Sequence, residues 1–245
     1  EFYTTVLRYG NNILYRGYEN GKPVKRKIPF RPTLFMAGNK NSGWTTLEGL
    51  PVDPIQFDSM SEATDFIKRY DGVSNFTVHG NNNYIAQFIT EKYPDTIEFD
   101  RDLIQVLNID IEVESDDGFP TPDAAAYPVI SITCRQNDGV YWVWGLNDYT
   151  PKSDNVLFIK CDNEFDLLQK FVKYWEMHTP DIITGWNTRF FDIPYLINRF
   201  TNIVGRDTAA RMSPWQTIYE KRITKAGQEK ILKSPLGITV LDYLA

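Results

Sequence analysis

The chain has 245 residues, 42% of them hydrophobic and 14% aromatic, with a formal charge of −6. That is enough apolar material for one large core or two modest ones. The negative charge excludes a protein that coats nucleic acid by electrostatics alone, since displacing counterions takes a basic footprint; it does not exclude a nuclease, whose carboxylates are locally acidic until metals arrive. No run reaches the roughly twenty apolar residues of a membrane span, and Glu1-Phe2-Tyr3-Thr4-Thr5-Val6 lacks the features of a signal peptide, so the expected setting is cytoplasmic with no membrane partner. Cys134 and Cys161 have no second Cys or His at ligand spacing and read as buried free thiols.

Alternating apolar residues and turn signals predict an amino-terminal meander: strands at Phe2 to Leu7 and Asn12 to Arg16, a turn at Glu19-Asn20-Gly21-Lys22-Pro23, then strands at Val24 to Phe30 and Pro32 to Met36. Ser59-Met60-Ser61-Glu62 is a capping-box pattern and opens a helix carrying Phe66, Ile67 and Tyr70 up to a Gly72 stop. A second short helix is expected around Tyr84 to Thr90, ended by Pro94. From Ile97 the character changes. The run Leu103 to Val113 has the near-continuous hydrophobicity of a central strand covered on both faces, which places a domain boundary near residues 101 and 102.

Further strands are expected at Val129 to Thr133, Val140 to Trp144 and Val156 to Ile159. Asp162 or Asn163 caps a helix whose Leu168, Phe171, Val172 and Trp175 form one apolar stripe. Asp181 to Thr184 returns to strand, and a helix begins at Asp192 or Ile193. This succession predicts an α/β domain with a mixed sheet. Tyr219 to Leu232 reads as a β-hairpin turning near Ala226-Gly227.

Two segments carry chemistry. In Asn108-Ile109-Asp110-Ile111-Glu112-Val113 the two acids lie two residues apart and share one face of an extended chain. Like charges so placed repel unless one is protonated or a divalent cation sits between them, and hard oxygen donors suit Mg²⁺ or Mn²⁺. The second segment is Thr184-Gly185-Trp186-Asn187-Thr188-Arg189-Phe190-Phe191-Asp192-Ile193-Pro194-Tyr195. Its Asp192 has an ordinary explanation as a helix N-cap, and Asp-x-Glu on a strand is by itself a weak signal.

Taken together, Asp-Ile-Glu on a strand followed by Gly-Trp-Asn-x-x-x-Phe-Asp-Ile-Pro resembles the first two exonuclease motifs of family B DNA polymerases. The likeness is greatest to those of T-even-type tailed bacteriophages. It extends through Ser115-Asp116-Asp117-Gly118-Phe119-Pro120, Thr179-Pro180, Ser213-Pro214 and Leu241-Asp242-Tyr243. The resemblance implies a 3′→5′ proofreading exonuclease of ribonuclease-H-like fold over residues 102–245, preceded by a small α+β amino-terminal domain over residues 1–101. It implies catalytic and metal-binding roles for Asp110, Glu112 and Asp192 around two Mg²⁺ or Mn²⁺ ions. Asn187, Phe119 and Phe191 match residues that meet the frayed 3′ end; beside that stand a self-bonded loop amide for Asn187 and, as the default reading for the two aromatics, core packing. Lys221, Arg222, Lys225 and Lys230 fall in a hairpin that would contact phosphates, or would simply be solvated.

The implied partners are the 3′ end of single-stranded DNA and the palm, fingers and thumb of the polymerase. A phage sliding clamp, reached through that remainder, is a further implied partner, and the implied setting is the cytoplasm of an infected bacterium. RNA contact at Lys22, Lys25, Arg26 and Lys27 stays open beside an ordinary exposed strand face. This family carries a further acid in a Tyr-x-x-x-Asp motif, which does not occur in these 245 residues. The expectation is therefore an amino-terminal portion of a replicative polymerase, excised or encoded separately, with little activity in isolation. Two alternatives are a stand-alone nuclease in which Asp242 supplies the further ligand, and a non-catalytic nucleic-acid-binding module.

Overall fold

The computed structural model describes residues 1–39, 43–115, 118–225 and 228–244. Asp116, Asp117, the Ala226-Gly227 turn and the side chains of Lys225 and Lys230 lie outside the described residues. The chain divides into two compact units, Glu1–Phe99 and Asp100–Ala245.

In the first unit, β1 (Phe2–Tyr9), β2 (Asn12–Glu19) and β3 (Lys22–Pro29) form an antiparallel meander. A second sheet, which the sequence pattern did not separate from the first, has the order β4 (Thr33–Ala37), β6 (Pro51–Gln56), β5 (Trp44–Thr45). Helix α1 (Met60–Tyr70) starts as its capping pattern requires: Ser59 Oγ accepts from Glu62 N at 3.1 Å. The Glu62 carboxylate reaches back one residue further than a standard box, to Asp58 N at 3.0 Å. Helix α2 (Tyr84–Lys92) is capped by Asn83. Ile13, Tyr15, Leu34, Met60 and Phe88 are among the residues of this unit's own core.

The second unit is built on a six-stranded mixed sheet. Its members are β7 (Val106–Val113), β8 (Val129–Arg135), β9 (Tyr141–Gly145), β10 (Val156–Lys160), β11 (Ile182–Gly185) and β14 (Thr239–Asp242), in the order β10-β9-β8-β7-β11-β14. β7 is antiparallel to β8 and parallel to β11, the mixed arrangement of a ribonuclease-H-like domain. Helix α3 (Glu164–Met177) buries Leu168, Phe171, Val172 and Trp175, the stripe its spacing predicts, together with Leu167 and Tyr174. Helix α4 (Asp192–Ile203), the short α5 (Arg206–Ala210) and the hairpin of β12 (Ile218–Lys225) and β13 (Gln228–Pro235) complete the unit.

One expectation needs correction. β7 is central, yet it is not buried on both faces: Leu107, Ile109 and Ile111 enter the core beneath α3 and α4, while Asp110 and Glu112 are exposed. Leu103 and Ile104, which lengthened the apolar run, belong to a short 3₁₀ turn and its end rather than to the strand. Without them the remaining pattern alternates as a one-sided strand should.

Candidate nucleic-acid-processing site

β7 sends Asp110 and Glu112 out of the same sheet face, and α4 brings Asp192 to the same strand. Asp192 is 3% exposed, and its Oδ1 accepts from Ile111 N, the residue after Asp110, at 3.2 Å. It is not the N-cap: it occupies the first position of α4, Phe191 precedes it, and no side chain caps this helix. A buried carboxylate beside a second one has a distinct electrostatic signature. Burial, then the charges of Asp110 and Asp242, push the Asp192 carboxyl up to about 7, against the two backbone N–H bonds that lower it. Burial also raises Asp110.

Glu112 shares the exposed face of β7 with Asp110. It is two residues further along β7, about 6.8 Å of strand, and lines a groove of about 430 Å³ with Ser131, Thr133, Tyr149 and Phe158. Among the described residues no three His, Cys, Asp or Glu side chains gather into an array that could hold a metal ion. β7 and the start of α4 thus carry the three acids, with Asp192 bonded to the strand and raised by the charge of Asp110, and Glu112 two residues along the same exposed face. Asp192 faces a strand amide, and Glu112 reaches toward the neighbouring strands.

The loop from β11 to α4 shows why Gly-Trp-Asn must be read as a unit. A Cβ on Gly185 would lie 2.1 Å from Thr188 Oγ1 and 2.6 Å from Ile109 O, so only glycine lets the loop fold back on β7. Asn187 adopts φ +58°, and its carbonyl accepts from Phe190 N and Phe191 N at 3.1 and 2.8 Å. Its own N–H donates to Asp242 Oδ1 at 3.0 Å. The turn is thus held through its backbone by Asp242 and by the start of α4.

Phe119 is 78% exposed and meets Phe191 with ring centroids 5.0 Å apart, so Phe119 is not a core residue. The loop bearing Phe119 is tied down from α4. Asn198 donates to Pro122 O, Arg199 to Ala125 O and Ala126 O, and Tyr195 Oη to Tyr127 O. Arg199 also grips Glu164 at 2.6 Å through both Nε and Nη2, and Glu164 accepts from Val129 N at 2.8 Å. The sequence reading missed this latch, although Glu164 in the first turn of α3 and Arg199 mid-helix were its visible halves.

On the hairpin, Lys221 and Arg222 are exposed. Lys221 lines a cavity of about 240 Å³ with Arg189, Tyr219, Leu232 and Ser234. The described faces around the site are thus acidic at β7 and basic at the base of the hairpin.

Residues 73–245 match the family model of the DNA polymerase family B exonuclease domain. The chain belongs to the family B DNA polymerases. The DNA-directed DNA polymerase of Enterobacteria phage T4 is 32% identical over 271 residues, which cover 100% of this chain and 30% of that protein. That of Escherichia phage RB69 is 31% identical over 273 residues, with the same coverage. The DNA polymerase catalytic subunit of Saimiriine herpesvirus 2 (strain 11) is 31% identical over 108 residues, covering 40% of this chain and 10% of the relative. This family B chain therefore spans about 30% of the phage polymerases it matches. Asp110, Glu112, Asn187, Asp192 and Asp242 all fall inside the region that the exonuclease-domain model covers. No helix among the described residues is long and apolar enough to cross a membrane.

Proposed function

We propose that the Asp110–Asp192 pair, with Glu112, is the metal-binding part of a 3′→5′ exonuclease site that removes the terminal nucleotide from single-stranded DNA. The observation that carries this reading is the buried Asp192 carboxyl, pushed up to about 7 by burial and by Asp110, with no basic side chain among the described residues bonded to either acid. Such a pair is satisfied by a cation, and an all-oxygen donor set suits Mg²⁺ or Mn²⁺. Asp110, Glu112 and Asp192 would hold the metal, which when bound lowers the pKa of water and stabilises the leaving 3′-oxygen.

Phe119 and Phe191 would take the terminal base by stacking, worth about 1–3 kcal/mol per base, and the Asn187 amide would contact the same nucleotide. Lys221, Arg222 and Lys225 would contact backbone phosphates. In this reading the chain works with the palm, fingers and thumb of a replicative polymerase in an infected bacterium. A sliding clamp reached through them, and RNA at the exposed face of β3, belong to the same reading as further partners. The 245 residues contain no Tyr-x-x-x-Asp, so by themselves they are expected to bind metal and single strands and to hydrolyse DNA slowly.

Calorimetric titration with Mn²⁺ tests the reading. A site of this kind gives binding that Asp110→Ala abolishes and that Lys221→Ala leaves in place. Binding heat that survives Asp110→Ala unchanged would reject the assignment.

A further inference from the structure

Asp242 ends β14, the edge strand, and pairs in register with Gly185, where β11 ends and the loop toward Asp192 begins. Tyr243 N bonds Gly185 O at 3.1 Å, so the main chain sets the Asp242 carboxylate beside that loop. Its Oδ1 accepts from Asn187 N at 3.0 Å and Leu244 N at 2.8 Å, and its Oδ2 accepts from Arg189 N at 2.9 Å. The bond to Leu244 alone would be a local turn of the kind Asp often makes. The bonds to Asn187 and Arg189 span 55 and 53 residues and hold alternate amides of one loop.

We infer that Asp242 is a positioning residue for the Asp110–Asp192 site: its carboxylate clamps the Gly185–Phe191 loop and so sets where α4 delivers Asp192. The chain of contacts is continuous. Asp242 fixes Asn187 N, the Asn187 carbonyl fixes Phe190 N and Phe191 N, and the next residue, Asp192, bonds Ile111 N on β7.

The clamp needs a carboxylate. An ionised acid offers acceptors on both oxygens and bonds amides more strongly than a neutral group. A carboxamide has one acceptor oxygen and would turn an NH₂ against one of the loop's N–H donors. With three backbone N–H groups on its two oxygens, Asp242 acts on the site through the loop and is not itself a metal ligand. This inference rests on the metal-binding reading of Asp110 and Asp192.

The test uses the whole 245-residue chain, as wild type, as Asp242→Asn, and as Val172→Ala, a fully buried position on α3 chosen to match the lost thermal stability. Amide exchange at Asn187 and Arg189 is followed by NMR, and Mn²⁺ affinity by electron paramagnetic resonance. In Asp242→Asn the two loop amides should exchange faster while β7 amides do not, and Mn²⁺ affinity should fall about 10- to 100-fold, the usual loss when a residue supporting a metal ligand is removed. Val172→Ala should leave Mn²⁺ affinity near that of the wild type. Equal Mn²⁺ losses in the two variants, or none in Asp242→Asn, would overturn the positioning role. So would a loss of Mn²⁺ in Asp242→Asn with the loop amides still protected, which would make Asp242 a ligand. A wild-type chain that binds no Mn²⁺ would instead reject the metal reading, and amide exchange would still decide whether the clamp exists.

Discussion

At the level of single residues, Asp192 departs far from the ordinary chemistry of its type. In an unfolded chain an aspartate titrates near 3.9; in the folded unit Asp192 is held up to about 7 by burial and by Asp110. The folded state therefore binds the proton more tightly. The unfavourable contribution is absent below about pH 4, grows as pH rises toward 7 and is complete above it, reaching about 4 kcal/mol at most. In the absence of divalent cations, urea unfolding of the wild type should show stability falling from pH 5 to pH 8 relative to Asp192→Asn. The comparison with the variant isolates Asp192; Asp166 and Glu176, drawn down by Lys170 and Arg211, change stability in the opposite sense and only at more acid pH. Parallel pH profiles for the two proteins would show that Asp192 is not strained. The Asp-x-Glu spacing made Asp110 and Glu112 visible from the sequence, since a two-residue repeat fixes a shared strand face. Nothing local could show that Asp192 turns to Ile111 N, because that bond joins residues 81 positions apart.

At the level of elements, α4 does more than present Asp192. Arg199, half a helix further on, joins Glu164 of α3 to the carbonyls of Ala125 and Ala126, with both charged side chains only 11% exposed. Removing one partner of a pair buried to this degree leaves the other charge without its counterion, at a cost of about 3–5 kcal/mol. Arg199→Ala should lose about that much in urea unfolding, and the Phe119 loop should become sensitive to protease. Arg199→Lys should recover only a fraction, because one ammonium cannot span a carboxylate and two carbonyls. A loss below about 1 kcal/mol, the usual worth of an exposed pair, would contradict the latch. The helices were largely legible in the sequence: Asn163 caps α3, Ser59 caps α1, and the 3.6-residue apolar stripe of α3 lies on its buried face. The β4-β6-β5 sheet was not. Its β5 is two residues long and its β6 begins with Pro51 and contains Pro54, both poor strand signals, so long-range pairing and not local preference makes the strands.

At the level of the whole molecule, each of the two units carries its own buried cluster, the first around Ile13, Tyr15 and Phe88, the second around Trp144, Phe171 and Phe200. All the residues assigned to the site belong to the second unit. Residues 100–245 expressed alone are expected to unfold cooperatively and to retain the Asp110-dependent Mn²⁺ affinity of the full chain, measured by calorimetry. A molten product with no cooperative transition would show that the second core does not suffice.

The amino-acid order alone determined the local features: which acids share a strand face, where helices start, which stripe is apolar, and the motif spacing that points to family B polymerases. Each follows from backbone periodicity and from side chains acting within a few positions. Only the tertiary structure decided that β7 is open on one face, that Asp192 bonds the strand carrying Asp110, and that Asp242 bonds the loop leading to Asp192. These depend on hydrogen bonds and burial between segments tens of residues apart, whose energies are defined only once the sheet has brought them together.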